Sequence, residues 1–510
     1  AAWRLSQDGI KVTCLEQGDW VKPTQYRTNQ PNWELSHWAE FSENSNIREL
    51  PADYPLNNDN CPIDPLMYNA VGGSTIHWAA LFPRLHPSDF KIKTLDGVGA
   101  DFPFSYNDLE PYYDINDHMM GVSGLDGDPF YPPKSPRMPP LGIGIHGETI
   151  VKGFEKLGWM WWPSDAAIAT VPYQGRKPCN YGNSCDIGCS TGAKSSTDIT
   201  YWPLAIKMGV NLQTGARVRE LLVNSDNEVE SVAYYQNGEL KHIKAKLFLL
   251  ACNGIGTARL LLNSASSKFP DGLANTSGLV GKNLMLHPSS WVTGVFSEYL
   301  ETNHGPLSNC VYSHEFYETD TNRGFLRGYQ LQIARDGGPT RQAIRSLENV
   351  PWGINHHKNF NEIFNRTITV GILADDIADE MNTVTLDPTL TDSDGIPAPK
   401  INYTISENTN KILDHGTSKA VELLEASGAG RTMVVRAPRA TGWHLLGTAR
   451  SGNDPATSVV NPWGRCHDVP NLFIADGSVM PAGGAVNPTS TIQAIALRTA
   501  DHIKDTITAL

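Results

Sequence analysis

The apolar positions change period early in the chain. Trp3 and Leu5 sit among helix formers in "AAWRLSQD", and Gly9 fits the residue just past a helix C-terminus. "IKVTCLE" then reads as a buried strand that ends in an acid, Glu16. A similar alternation returns twice. "GARVREL" and "KAKLFLLACNGIGTARLLLNS" frame a hairpin whose turn is Asn237-Gly238, and the second of them runs strand, Gly-rich turn, helix. Near the C-terminus, "NLFIADGSVMPAGGAVNPTSTIQAIALRTADHI" passes from a strand at 472–475 through Asp476-Gly477 and a Gly-rich loop into a helix. Thr489 or Ser490 is the expected cap of that helix, whose apolar residues recur at helical spacing.

Helix, glycine, strand, acid is the second half of a dinucleotide-binding βαβ unit, in which the acid binds a ribose hydroxyl. The glycine loop of such a unit lies about 20 residues before the acid. Here that falls ahead of residue 1, so the chain as given is expected to lack its first strand and its G-x-G-x-x-G turn. A chain of 510 residues suits two or three domains, or one large α/β core with an inserted second domain. The formal charge of −13 argues against nucleic-acid binding, which needs clustered Lys and Arg. No apolar run approaches the roughly 18–20 residues that span a bilayer.

Eight cysteines in this length do not make a disulfide scaffold. Cys14 and Cys252 lie in apolar runs that predict buried free thiols. Cys61, Cys310 and Cys466 are scattered and carry no metal spacing. Cys179, Cys185 and Cys189 crowd into "KPCNYGNSCDIGCSTGAKSS", a loop composition. Zinc sites usually show C-x2–4-C pairs and a fourth ligand. A disulfide would use two of the three. Three thiolates in a Gly-rich loop can hold a [3Fe-4S] cluster, and three reduced or partly bonded cysteines would have the same letters.

The stretches "RLSQDGIKVTCLEQG", "VGGSTIHWAALFPRLHPSDF", "GARVREL", "ACNGIGTARLLL", "GLVGKNLMLHP", "GWHLLGT" and the C-terminal run together resemble the glucose–methanol–choline oxidoreductases, a flavoprotein family. "CNYGNSCDIGCSTGAK" resembles its glucose, fructose and gluconate dehydrogenase branch. The resemblance implies an α/β fold, with a Rossmann-like FAD-binding domain and an antiparallel-sheet substrate domain. The expected FAD domain is discontinuous, at 1–80, 190–290 and 436–510. A connecting segment at 81–189 carries the cysteine loop, and 291–435 forms the substrate domain.

The resemblance makes His444 the base that takes the hydroxyl proton and Asn487 the group that orients the oxygen. A neutral imidazole suits that work. It implies FAD contacts from Glu16, Gly72, Gly73, Ser74, His77, Trp78, Val218, Ala251, Asn253, Thr257, Asp476, Gly477, Pro488 and Thr489. The N-terminus of the last helix would stabilise negative charge on a reduced flavin. Cys179, Cys185 and Cys189 would hold a [3Fe-4S] cluster that relays electrons to a haem-c partner, and a small chaperone-like subunit carries some relatives to the periplasm. No role follows for His287. The Trp-rich "GWMWWP" at 158–163 is either core or a sugar-stacking surface, and "VPWGINHHKNF" at 350–360 either faces the pocket or lies on the surface. Three other readings remain: an O2-using oxidase with structural cysteines, a lyase on the same fold, and a metal-binding interaction protein that has lost FAD.

Overall fold

A computed structural model describes the chain except residues 31, 136, 309, 346–351 and 508–510. Its first half-site is two parallel strand pairs. Thr13–Leu15 pairs with Asn211–Gln213, and Phe248–Leu250 pairs with Leu472–Ile474. The opening helix, Ala2–Ser6, lies on the C-terminal helix, Thr489–Thr506, through an Arg4–Asp501 ion pair at 2.7 Å. Leu5, Phe473, Ala500 and Ile503 close one apolar cluster beneath them. The helix Tyr106–Met120 opens on a Ser105/Asp108 capping box and docks on the same C-terminal helix. There Tyr113 meets Thr491 at 2.7 Å and Asn116 donates to the Ser490 carbonyl.

The hairpin forms where the Asn-Gly turn places it. Val229–Gln236 turns into Glu239–Lys244 with Asn237 and Gly238 both at positive φ, the type I′ pattern. Ala216–Val223 completes a three-stranded antiparallel sheet.

A six-stranded antiparallel sheet forms the second body. Its order is Arg431–Arg436, Ser289–Val295, Thr367–Ala374, Tyr329–Ala334, Val311–Ser313, Trp162–Pro163. The helices Glu407–Ala426 and Gly144–Leu157 cover one face. Val292, Leu331, Ile333, Ile368, Val370 and Ile372 are buried there, each contributing about 1.5–3 kcal/mol.

Several boundaries differ from the reading of the sequence. The sheet recruits Trp162–Pro163 from the connecting segment. Pro397–Asn402 pairs with Asn57–Asn60 across the expected domain limit, where the flanking Leu56 and Cys61 share one apolar cluster with Ile401. Neither Thr489 nor Ser490 caps the last helix. Pro488 takes the N-cap position and no side chain caps it, since the helical turn begins at Thr489. Cys252 is exposed just beyond the end of Phe248–Leu250, and Cys14, in the middle of the short Thr13–Leu15 strand, is only partly buried. Cys310 is buried in the bend just before Val311–Ser313. Trp159 and Trp161 pack on the second core. Trp352 and Ile354 are fully on the surface, while Val350 and Pro351 lie outside the described residues. Among the described residues no helix is long and apolar enough to cross a membrane.

Candidate active site

His444 is brought to its place by strand register. Met285 and Leu446 form an antiparallel bridge. Two residues further along each strand, His287 and His444 fall opposite one another. Their Nδ1 atoms lie 2.9 Å apart and the rings meet edge to face at 5.0 Å. Gly483 makes room for the pair: a Cβ there would stand 2.2 Å from His287 Nε2. His287 is fully buried at φ +52°, a left-handed conformation that costs a residue with a Cβ.

The hydrogen bonds around the pair set its tautomers. Gln332 donates to Asn487 Oδ1 at 2.8 Å, so the Asn487 amide nitrogen faces His444 Nε2 at 3.4 Å. His444 Nε2 is then the acceptor, and Nδ1–H donates to His287. The amide row continues away from the site. Gln332 also donates to Gln330, Gln330 reaches His314, and His314 meets His86 at 2.9 Å. Burial, with the neighbouring His287, holds the His444 pKa well below the ordinary value. Burial brings His287 down to about 4. His444 is therefore a neutral base with its lone pair on Nε2.

The strands and glycines gather the other expected contacts. Ala251 and Cys252 are exposed at the carboxyl end of the Phe248–Leu250 pair, where α/β sheets bind ligands. Asn253 caps its own helix, accepting from Ile255 and Gly256 N–H, so its amide serves the fold. Thr257 donates to Asp476 at 2.5 Å, and Asp476 also accepts from Ser478 and precedes Gly477 in the turn. Val218 sits beside a β-bulge in the hairpin sheet. Glu16 accepts from Gly18 N–H, and burial pushes it up to about 7. Gly72 and Gly73 turn at φ +104° and +54°, a path that opens Ser74 to solvent. His77 is buried and pushed down to about 3, chiefly by burial.

The three cysteines share the lining of one small cavity, with Asn183, Lys194 and Pro306 beside them. All eight cysteines are free thiols. Each of the three accepts an N–H at 3.4 Å: Cys179 from Tyr181, Cys185 from Leu307, Cys189 from Lys194. Burial pushes Cys185 up to about 12. Burial opposes ionisation of Cys189 too, yet hydrogen bonds from Thr191 and the Lys194 amide hold that thiol below its ordinary value. Among the described residues no group of three or more ligand side chains converges on a single-ion position. The thiols border a space instead of a point. Three side chains stitch this loop to the glycine turn with five hydrogen bonds. His77 Nδ1 lies 2.8 Å from the Asp186 carbonyl, Trp78 donates to the Ser195 carbonyl, and the Lys194 ammonium reaches the carbonyls of Thr75, Ile76 and Trp78.

The GMC oxidoreductase N-terminal family model matches residues 69–289 and its C-terminal counterpart matches 378–496. A 2-methyl-1,2-propanediol dehydrogenase from Mycolicibacterium austroafricanum is 42% identical over 98% of this chain and 92% of its own. The chain is a GMC oxidoreductase. A fructose dehydrogenase large subunit from Gluconobacter japonicus is 30% identical over 98% of this chain and 95% of its own. Pyridoxine 4-oxidase, at 15% identity, superposes with a TM-score of 0.65 over 99% of this chain and 96% of that one, which shows the shared fold.

As a GMC oxidoreductase the chain is an FAD-dependent enzyme acting on alcohol groups. Its residues fit FAD. The buried Nε2 atoms of His77 and His287 have no partner among the described residues. The Gly72-Gly73 turn lets backbone approach a flat ring. The uncapped start of Thr489–Thr506 leaves backbone N–H groups for an anion. Sequence reasoning gave His287 no role and passed over Gln332 and Lys194, which the structure sets against His444, Asn487 and the glycine turn. His287 and Lys194 stood inside quoted motifs, "NLMLHP" and "GAK", but nothing local to those letters says what they face.

Proposed function

We propose that the chain is an FAD-dependent dehydrogenase of a sugar, polyol or sugar acid, and that electrons leave through a [3Fe-4S] cluster on Cys179, Cys185 and Cys189 to a cytochrome or quinone. The observation that carries the reading is the His444 Nε2 lone pair, held neutral by burial and aimed at the Asn487 amide. A substrate hydroxyl between them donates its proton to His444 and accepts from Asn487. When bound, FAD would supply a hydride acceptor, and a cluster on the three cysteines would supply a one-electron carrier. Gln332 keeps the Asn487 amide turned the right way, and His287 keeps the His444 proton on Nδ1. The diol and sugar dehydrogenases among the relatives support the substrate class, and the word "subunit" in one name supports a partner. The three N–H to sulfur bonds support the cluster, because such bonds stabilise thiolate ligands.

The test is anaerobic mixing of full-length holoprotein with a panel of polyols and sugars, alongside iron, acid-labile sulfide and electron paramagnetic resonance. Flavin bleaching by a polyol, lost in His444→Ala with FAD still bound, supports the base. Near wild-type bleaching in that variant removes it. About three irons per chain support the relay. No iron with rapid O2 consumption makes the protein an oxidase with structural cysteines.

A further inference from the structure

Lys194 lines the cysteine cavity and Arg335 holds the turn that borders it through Pro306 and Leu307; among the described residues neither buried cation forms an ion pair with a carboxylate. Lys194 is 2% exposed, and its ammonium donates to three backbone carbonyls, those of Thr75, Ile76 and Trp78. An ammonium has three donors and no acceptor, so this is the arrangement of the charged form. Asp186 and Asp198 act on it only from beyond ion-pair distance, and Asp186 is already engaged by Arg341. Arg335 is equally buried. Its guanidinium donates to the carbonyls of Pro306, Ser308, Gly142 and Ile143. Leu307, inside the turn that Arg335 holds, is the residue that donates to Cys185.

Burying a charge without an opposite charge costs several kcal/mol. Carbonyl dipoles offset part of that cost. A net anion in the cavity offsets more: Lys194 lines that cavity, and Arg335 holds the Pro306–Ser308 turn at its wall. The charge of Lys194 acts on Cys185 and Cys189, and that of Arg335 acts on Cys179. An iron–sulfur cluster on three thiolates is such an anion, and adding one electron makes it more negative. Fixed positive charge therefore favours the reduced form and raises the potential.

We propose that Lys194 and Arg335 are the countercharge of the cysteine site and tune its reduction potential upward, so that it accepts electrons readily. Lys194 does this while tied to the flavin-facing turn. The inference rests on the cluster reading above. It is specific to this pair, because Arg84, Arg137 and Arg327, also buried, all have carboxylate partners.

The experiment is a potentiometric titration of full-length, iron-loaded protein with dithionite, followed by electron paramagnetic resonance. Wild type is compared with Lys194→Met, Lys194→Arg and Arg335→Gln, each assayed for iron and sulfide. The expected result is a lower midpoint in Lys194→Met and Arg335→Gln, with Lys194→Arg near wild type. Loss of iron in the two charge-deleting variants and its retention in Lys194→Arg also supports the inference. Wild-type midpoints and iron in both charge-deleting variants overturn it. Should Lys194→Met not fold, Arg335→Gln gives the same reading from the second cation. Wild-type protein without iron or sulfide overturns the cluster reading and this inference together, and is recognised before any variant is made.

Discussion

His287 carries the tautomer of His444 at the cost of a left-handed backbone. That position separates strain from chemistry. Glycine adopts φ +52° freely and alanine does not. Both substitutions remove the imidazole. His287→Gly should unfold with a stability about 1 kcal/mol above His287→Ala, read from denaturant midpoints. Both should slow substrate reduction of flavin alike. Equal stabilities would mean that the backbone relaxes when the ring is gone. The pH profile belongs to the same pair. Protonating His444 removes the base, and burial holds its pKa well below 6.5. Stopped-flow flavin reduction should therefore stay level as pH falls through 6.5 and weaken only further down. A midpoint near 6.5 would assign the base to a solvated histidine.

One strand of the large sheet decides which way Asn487 faces. Tyr329–Ala334 presents Gln330 and Gln332 on the same face, two residues apart, and only Gln332 reaches Asn487. Gln332→Leu should slow flavin reduction about tenfold, the worth of one oriented hydrogen bond. Gln330→Leu should slow it less. The reverse order in rapid-mixing experiments would place the orienting contact elsewhere. Elements of this kind mark the limit of reading a sequence. The Asn237-Gly238 hairpin, the strand before Asp476 and the helix after it were legible because their signals lie within a few neighbouring residues. The cap at Pro488 was missed because Thr and Ser beside a helix start look alike on paper. The pairing of 285 with 446, which sets His287 against His444, has no local signal. Nor does the meeting of Gln332 with Asn487 across 155 residues. The cysteines announced themselves by crowding, whereas Arg335 could not be associated with them before the 306–308 turn was folded over Cys185.

Across the molecule, Arg327 is the buried junction between the connecting segment and the large sheet. Its guanidinium meets Asp89, Asp96 at 3.1 Å and Asp375 at 2.8 Å. Removing it leaves buried carboxylates without an opposite charge. Arg327→Met should destabilise the protein by ~3–5 kcal/mol, seen as a fall in the denaturant midpoint. A change under about 1 kcal/mol would mean that the acids are neutral without it.

The five hydrogen bonds between the glycine turn and the cysteine loop have a consequence for recombination. Residues 72–78 and 179–195 lie far apart in the gene but behave as one exchangeable module. A chimera that imports the cysteine loop from a relative inherits carbonyls it was not shaped against. His77 and Trp78 then face the carbonyls of a foreign loop, and the imported residue at 194 faces the carbonyls of a turn it did not fold against. Crossovers that carry both stretches together keep the seam intact, and those that split it open the protein between the glycine turn and the cysteine cavity.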